Sequence, residues 1–242
     1  MVADIEDFDL FGDTSVEEQV ELDKLQEQRR KQVPTGQSRL DSQRRRYLQS
    51  HTTLSTELGF KTLRDQQPLN FGQVFSAPER QNILNSVFEY VEQKGWTTQR
   101  HGAFPTRDVP VKVLSAAQMV TDRLKQILFP LLYEHTGIDV KYWTFRDLFV
   151  VGYHEDHQRS LGMHSDGSLA SLTLLLNDSA EFDGGGTYFE KFSLCVEQVP
   201  GDAWIHDGKL NHSGLSITRG KRFVMVAFID TIGGYTDIIQ RM

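Results

Sequence analysis

Two histidines and one carboxylate, set so that they can meet on one face, make a site that holds a transition metal and leaves three positions open. That arrangement suits an iron(II) ion that must bind a cosubstrate and dioxygen side by side. The pattern His164-Ser165-Asp166 offers two such ligands, and His212, 46 residues beyond Asp166, offers the third. Arg222 follows His212 by ten residues and opens an apolar run, Arg222–Asp230. A guanidinium there can pair in bidentate fashion with the far carboxylate of a dicarboxylic cosubstrate such as 2-oxoglutarate, which a lysine would do less specifically. Two rivals share part of the pattern. His154-Glu155-Asp156 spells the same His-x-Asp, and His206 is an alternative distal histidine. His206 has no arginine at a comparable offset, and His154 falls in a charged loop after a strand-like run, so spacing favours His164, Asp166, His212 and Arg222.

Short strands have to carry these residues. After Gly137 the sequence breaks into β-like runs at Tyr142–Tyr153, Ala170–Leu176, Gly186–Phe192, Leu194–Gln198, Asp202–His206 and Arg222–Asp230, separated by glycine-rich turns. Two helices precede them. Ser76-Ala77-Pro78-Glu79 is a start signal for a helix over Arg80–Gln93 ending near Gly95, and apolar spacing predicts a second over Ser115–His135. Pro130 is expected to kink the second helix or end its regular part. The expected fold is mainly β with flanking α: a double-stranded β-helix, or jelly roll, over 137–242, buttressed by a helical preamble over 52–136.

Residues 1–51 have a different texture. They are charged and rich in glutamine, with acids only in 1–20 and a basic cluster from Arg29 to Arg46. Asp13-Thr14-Ser15 predicts one helix over Val16–Lys31 in an otherwise tail-like segment. The formal net charge of -7 argues against a nucleic-acid partner. No apolar run approaches the roughly 20 residues that a membrane span needs. The single cysteine, Cys195, excludes an internal disulfide framework and reads as a small packed residue. An acidic start and one cysteine lead to an expected cytoplasmic or nuclear location rather than secretion.

Residues 149–230 resemble the catalytic domain of the 2-oxoglutarate oxygenases of the prolyl 4-hydroxylase and procollagen lysyl hydroxylase group. The matching pieces run in order: Phe149-Val150-Val151-Gly152-Tyr153, His164-x-Asp166, Leu176-Asn177, Phe182-x-Gly184-Gly185-Gly186-Thr187-x-Phe189, Gly201-Asp202-Ala203-Trp204, His212-x-Gly214 and Gly220-Lys221-Arg222-Phe223. The resemblance implies iron(II) held by His164, Asp166 and His212, with 2-oxoglutarate and O2 as cosubstrates and ascorbate as an accessory reductant. It also implies 2-oxoglutarate anchored by Arg222, with Tyr153 and Thr173 as helper contacts. With Asp166 in place, hydroxylation is favoured over halogenation. The expected substrate is a lysine or proline side chain of a protein or peptide; a free amino acid or other small metabolite is the alternative, and a non-catalytic binding module is a third.

Two segments carry further expectations. Residues 96–111 read as a surface loop or as a substrate-facing lid, and their length and mixed aromatic and charged content favour the lid. Arg100, His101 and Arg107 are its candidate substrate contacts. Asp4 to Asp13 resembles the central acidic segment of the elongation factor 1 beta and delta subunits, which implies a docking tail toward a translation factor.

Overall fold

A computed structural model describes Leu63 and residues 66–232. The expected helix at Val16–Lys31 and the acidic docking segment lie outside these residues. Among the described residues eleven strands and two α-helices follow one another as β1 (Leu69–Gln73), α1 (Ala77–Lys94), β2 (Asp108–Pro110), α2 (Ala117–Thr136), β3 (Trp143–His154), β4 (Leu161–His164), β5 (Ala170–Leu175), β6 (Phe182–Gly184), β7 (Thr187–Phe189), β8 (Leu194–Val196), β9 (Asp202–Asp207), β10 (His212–Gly214) and β11 (Ile217–Thr231). No described helix is long and apolar enough to cross a membrane.

Local chemistry explains both helices. At the start of α1 the Glu79 carboxylate accepts the backbone N–H of Ser76 at 2.9 Å and its hydroxyl at 2.7 Å. At its end Gly95, with φ 74°, returns its N–H to the carbonyl of Val91. Of the two outcomes expected at Pro130, an end to the helix does not occur: α2 runs through it to Thr136. Pro130 and Gln126, one turn before it, are both exposed, so water can take the carbonyl that the missing N–H leaves free.

The strands form two antiparallel sheets. The larger has the order β1-β9-β5-β11-β3-β2, with β6 also paired to β11; the smaller has the order β4-β10-β7-β8. The jelly-roll expectation holds, with corrections at its edges. The preamble is not purely helical, because β1 and β2 come from it and close the two edges of the larger sheet. The run expected at Gly186–Phe192 is strand only over Thr187–Phe189 and then tightens into a 3-10 turn at Glu190–Phe192. The run at Leu194–Gln198 stops at Val196, while the last strand begins earlier than expected, at Ile217.

Strand β11 is the spine of the larger sheet, paired with β3 from Lys221 to Thr231 and with β5 from Val224 to Ile229. Period-two alternation sends Val224, Val226 and Phe228 into the barrel, where they pack with Phe149, Val151, Tyr153 and Ile217. Arg222 continues the same face. Phe223 points the other way, against Phe88 of α1 and Trp96, with ring centroids 5.2 and 6.2 Å away. Covered on both faces, β5 is buried at every position, which is why its sequence is a near-continuous apolar run.

Beyond the end of β5 a side chain takes over the ladder. Buried Asn177 donates to the carbonyl of Lys221 and accepts the N–H of Phe223, both at 2.8 Å, so it clamps β11 on either side of Arg222. Asn177→Ala leaves two backbone groups unpaired and is expected to cost about 2 kcal/mol. Equilibrium denaturant unfolding, with an unchanged denaturant slope, checks this.

Candidate metal centre and anion pocket

His164 ends β4 and His212 begins β10, and the two face each other as direct register partners across that ladder. Directly opposed residues on one sheet face have neighbouring side chains, so a separation of 48 positions in sequence becomes a ring-centroid distance of 4.3 Å. Asp166 lies just past β4. Its N–H and that of Gly167 both donate to the carbonyl of Gly208, at 2.8 and 2.9 Å. A methyl group on Gly208 would stand 2.2 Å from the Ser168 hydroxyl, so the close approach that holds Asp166 requires glycine. Arg146, ion-paired with Asp230 at 3.0 Å, donates to the carbonyls of Asp166 and Gly167 from the other side.

The side chains of His164, Asp166 and His212 converge. One ligand atom from each lies within 4.8 Å of the others, and among the described residues no second group of this kind occurs. The Asp166 carboxylate is 3.4 Å from Nε2 of His164 and 3.7 Å from Nε2 of His212. Each imidazole is oriented by its other nitrogen: Nδ1 of His164 meets the carbonyl of Gly162 at 2.7 Å, and Nδ1 of His212 meets that of Leu210 at 2.9 Å. An N–H at Nδ1 leaves the Nε2 lone pair of both rings free for a metal. Burial, joined by the neighbouring His206, pushes the pKa of His212 down to about 3, so the ring is neutral at physiological pH. Burial alone would raise the Asp166 carboxyl; its bond with His164 and the neighbouring rings of His212 and His206 outweigh that and hold it well below the usual range. Two imidazoles with Nε2 turned toward an ionised carboxylate are a donor set that suits iron(II), so the residues present fit the metal.

The rival residues stand outside the three-residue cluster. Nδ1 of His154 accepts the N–H of Asp156 at 3.0 Å in the turn after β3. His206 is buried beside the cluster, its ring 4.6 Å from that of His212, with Nδ1 against the carbonyl of Asp207. Exposed Cys195, on β8, takes no part in the metal cluster.

The second half of the site surrounds Arg222. It is 2% exposed and forms no ion pair with a carboxylate among the described residues. Its guanidinium lies 5.5 Å from the ring centre of Tyr153, its register partner on β3, and donates to the side-chain oxygen of Gln198 at 2.6 Å. Gln198 in turn donates to the hydroxyl of Thr173 at 2.6 Å. Burial lowers the pKa of Arg222 and raises that of Tyr153, so the phenol keeps its proton and remains a donor. The Gly184–Gly186 turn passes directly over the arginine. Gly185 has φ 81°, and a methyl group on it would lie 3.0 Å from Cδ of Arg222.

The segment between α1 and β2 reaches the metal centre through Phe104, whose ring lies 5.1 Å from that of His164. Its charged residues form a network of their own. Arg100 bonds to Asp108 and makes two bonds to Asp147 at 2.6 and 2.7 Å. His101 packs on Phe149 at 4.5 Å and lies 3.3 Å from the Asp108 carboxylate. Arg107 stacks over Trp96 at 5.2 Å, while its backbone N–H is taken by Gln158. Sequence reasoning missed Gln198 and did not single out Phe104. An aromatic in a long loop next to a ligand-bearing domain was the available clue for Phe104; for Gln198 there was none.

No family model matches the chain. Over 167 residues, 62% of the chain, it is 31% identical to the multifunctional procollagen lysine hydroxylase and glycosyltransferase of Rattus norvegicus, and it spans 22% of that protein's length. Among solved structures, a truncated viral collagen prolyl hydroxylase from Paramecium Bursaria Chlorella virus-1 superposes with a TM-score of 0.55 at 17% identity, covering 70% of this chain and 92% of that one. A prolyl-4-hydroxylase of Pseudomonas putida gives 0.54 at 13% identity, covering 69% and 93%. Barrel and metal face together make the chain similar to domains of the 2-oxoglutarate/Fe(II) dioxygenase type. Within that type it is similar to the prolyl 4-hydroxylase and procollagen lysyl hydroxylase catalytic domains.

Two outcomes check this geometry. His212→Ala and Asp166→Ala are expected to weaken iron(II) binding by more than about 100-fold, beyond the loss typical of outer residues, while His154→Ala retains it in anaerobic metal titrations. Arg100→Ala takes the arginine from buried Asp108 and is expected to cost about 3 kcal/mol in urea unfolding; a loss of that size separates a structural ion pair from a contact that acts on substrate KM alone.

Proposed function

We propose that this domain is an Fe(II)- and 2-oxoglutarate-dependent dioxygenase that hydroxylates a lysine or proline side chain of a protein or peptide. Substrate C–H, 2-oxoglutarate and O2 become C–OH, succinate and CO2. The observation that carries the reading is Arg222: a buried cation without an anion, on the same barrel interior as a three-residue metal face. A buried charge is costly unless paired, and a dicarboxylate whose other end reaches the metal supplies the missing partner.

Iron(II) bound at His164, Asp166 and His212 would supply dioxygen activation coupled to decarboxylation of the 2-oxo acid. The chain's own residues do the rest. Arg222 binds the far carboxylate with its forked donors. Tyr153, kept protonated by burial, offers its phenol to the same anion. Leu161, Phe182, Val226 and Phe228, packed on the barrel core, keep water out of the pocket. Phe104 leans on His164 from the preceding loop and shields the metal side. The polypeptide substrate is supported by the likeness to proteins named as procollagen lysine and collagen prolyl hydroxylases.

Succinate release by purified protein with iron(II), 2-oxoglutarate and ascorbate tests the reading. Wild type is expected to form succinate even without prime substrate, and His164→Ala and Arg222→Ala to lose at least about 100-fold of that rate, as removal of groups acting directly in the site does. Equal succinate from all three proteins would contradict it.

A further inference from the structure

Arg222 has a neighbour, Gln198, that takes no direct part in the proposed reaction. Gln198 lies just beyond β8 and is buried at 7% exposure. A buried amide needs partners for its polar atoms. Its two ends are both used: the oxygen takes the guanidinium of Arg222 and the nitrogen donates to Thr173, each at 2.6 Å. Because a guanidinium only donates, the amide oxygen must face it, so the orientation of Gln198 is fixed. Thr173 stands on the central strand β5, directly opposite Trp204 of β9 and Val226 of β11. The chain Arg222–Gln198–Thr173 therefore ties the mobile end of a long side chain to the most buried strand of the barrel.

We propose that Gln198 is a positioning residue for the cosubstrate, one that aims the Arg222 guanidinium while leaving its positive charge unspent. The inference rests on the cosubstrate reading above. An amide oxygen orients the guanidinium by accepting a single hydrogen bond and contributes no charge, so an arriving carboxylate still finds a full cation. A carboxylate at the same position would pair with Arg222 permanently and compete with the ligand. Thr173 thereby acts through Gln198: it holds the amide that holds the arginine.

The neutral amide is thus the feature on which selectivity for an anionic ligand turns, and Gln198→Glu, nearly the same in shape, tests it. Calorimetric titration of 2-oxoglutarate into full-length, iron(II)-loaded protein under anaerobic conditions is run beside a separate iron(II) titration without 2-oxoglutarate. Q198E is expected to weaken 2-oxoglutarate binding by about 100-fold or more, as an internal ion pair replaces the external one. Gln198→Ala is expected to weaken it about tenfold, the factor for one hydrogen bond to a charged group. If Q198A does not fold, Gln198→Met keeps the side-chain length and carries the same expectation.

Iron(II) affinity should be the same in all variants, and metal-free Q198E should unfold no earlier than wild type, because it supplies the anion that Arg222 lacks. A merely structural glutamine would lower the unfolding midpoint and leave the 2-oxoglutarate affinity of the folded fraction unchanged. Binding by Q198E within about threefold of wild type, well under the factor for one charged hydrogen bond, overturns the inference. So does a Q198A, or its methionine substitute, indistinguishable from wild type, or a loss shared equally by iron(II). Wild-type protein that binds iron(II) but not 2-oxoglutarate is a separate result: it overturns the cosubstrate reading itself, and this inference with it.

Discussion

A single positive charge buried in the wall of the barrel organises this domain. Arg222 cannot reach water, and no carboxylate of the described residues pairs with it. Holding it there requires a backbone that does not shift, and the surrounding structure provides one. β11 is paired with β3 alongside Arg222 and with β5 from Val224 onward; Asn177 takes over where β5 ends, bonding the residues before and after the arginine. The glycine turn at 184–186 passes close enough to Arg222 that a side chain at Gly185 would press on it. Gln198 fixes the far end of the guanidinium with a neutral atom.

The metal side follows a different logic. Nothing there is long or flexible. His164 and His212 are brought together by one pair of register partners, and backbone carbonyls within two residues of each ring set which nitrogen is free. Asp166 is fixed through its own backbone, by the carbonyl of Gly208 and the guanidinium of Arg146. The histidines belong to the smaller sheet and the arginine to the larger, so closing the barrel is what makes one site of two halves. Phe104 adds a cover from outside the jelly roll.

Much of this was readable from the residues, and the reasons for the gaps are physical. His164, Asp166, His212 and Arg222 share a short segment with distinctive chemistry, and the order of strands between them follows from alternation and turns. α1 was legible because Ser76 and Glu79 write its first turn explicitly. The strands that actually carry the histidines, Leu161–His164 and His212–Gly214, were not seen. They span four and three residues, too few for a period to show, and both contain glycine. Pro130 does not end α2, where both it and Gln126 are exposed to water, and exposure is not written in local sequence. Gln198 was invisible for a related reason: its partners, Thr173 and Arg222, lie 25 and 24 positions away. Arg100 and His101 are of the residue types expected of substrate contacts; the structure places Arg100 in ion pairs with Asp108 and Asp147, and His101 3.3 Å from the Asp108 carboxylate.

Everything rests on whether a 2-oxo dicarboxylate spans the distance between the metal face and Arg222. Anaerobic titration of iron(II)-loaded protein with 2-oxoglutarate, followed by the visible charge-transfer absorption of a chelated 2-oxo acid, reads this directly. Wild type is expected to develop that absorption saturably, and Arg222→Ala to require far higher 2-oxoglutarate for the same signal while still binding iron(II). An absorption that develops identically in both proteins, or fails to develop in iron-loaded wild type, would contradict the account.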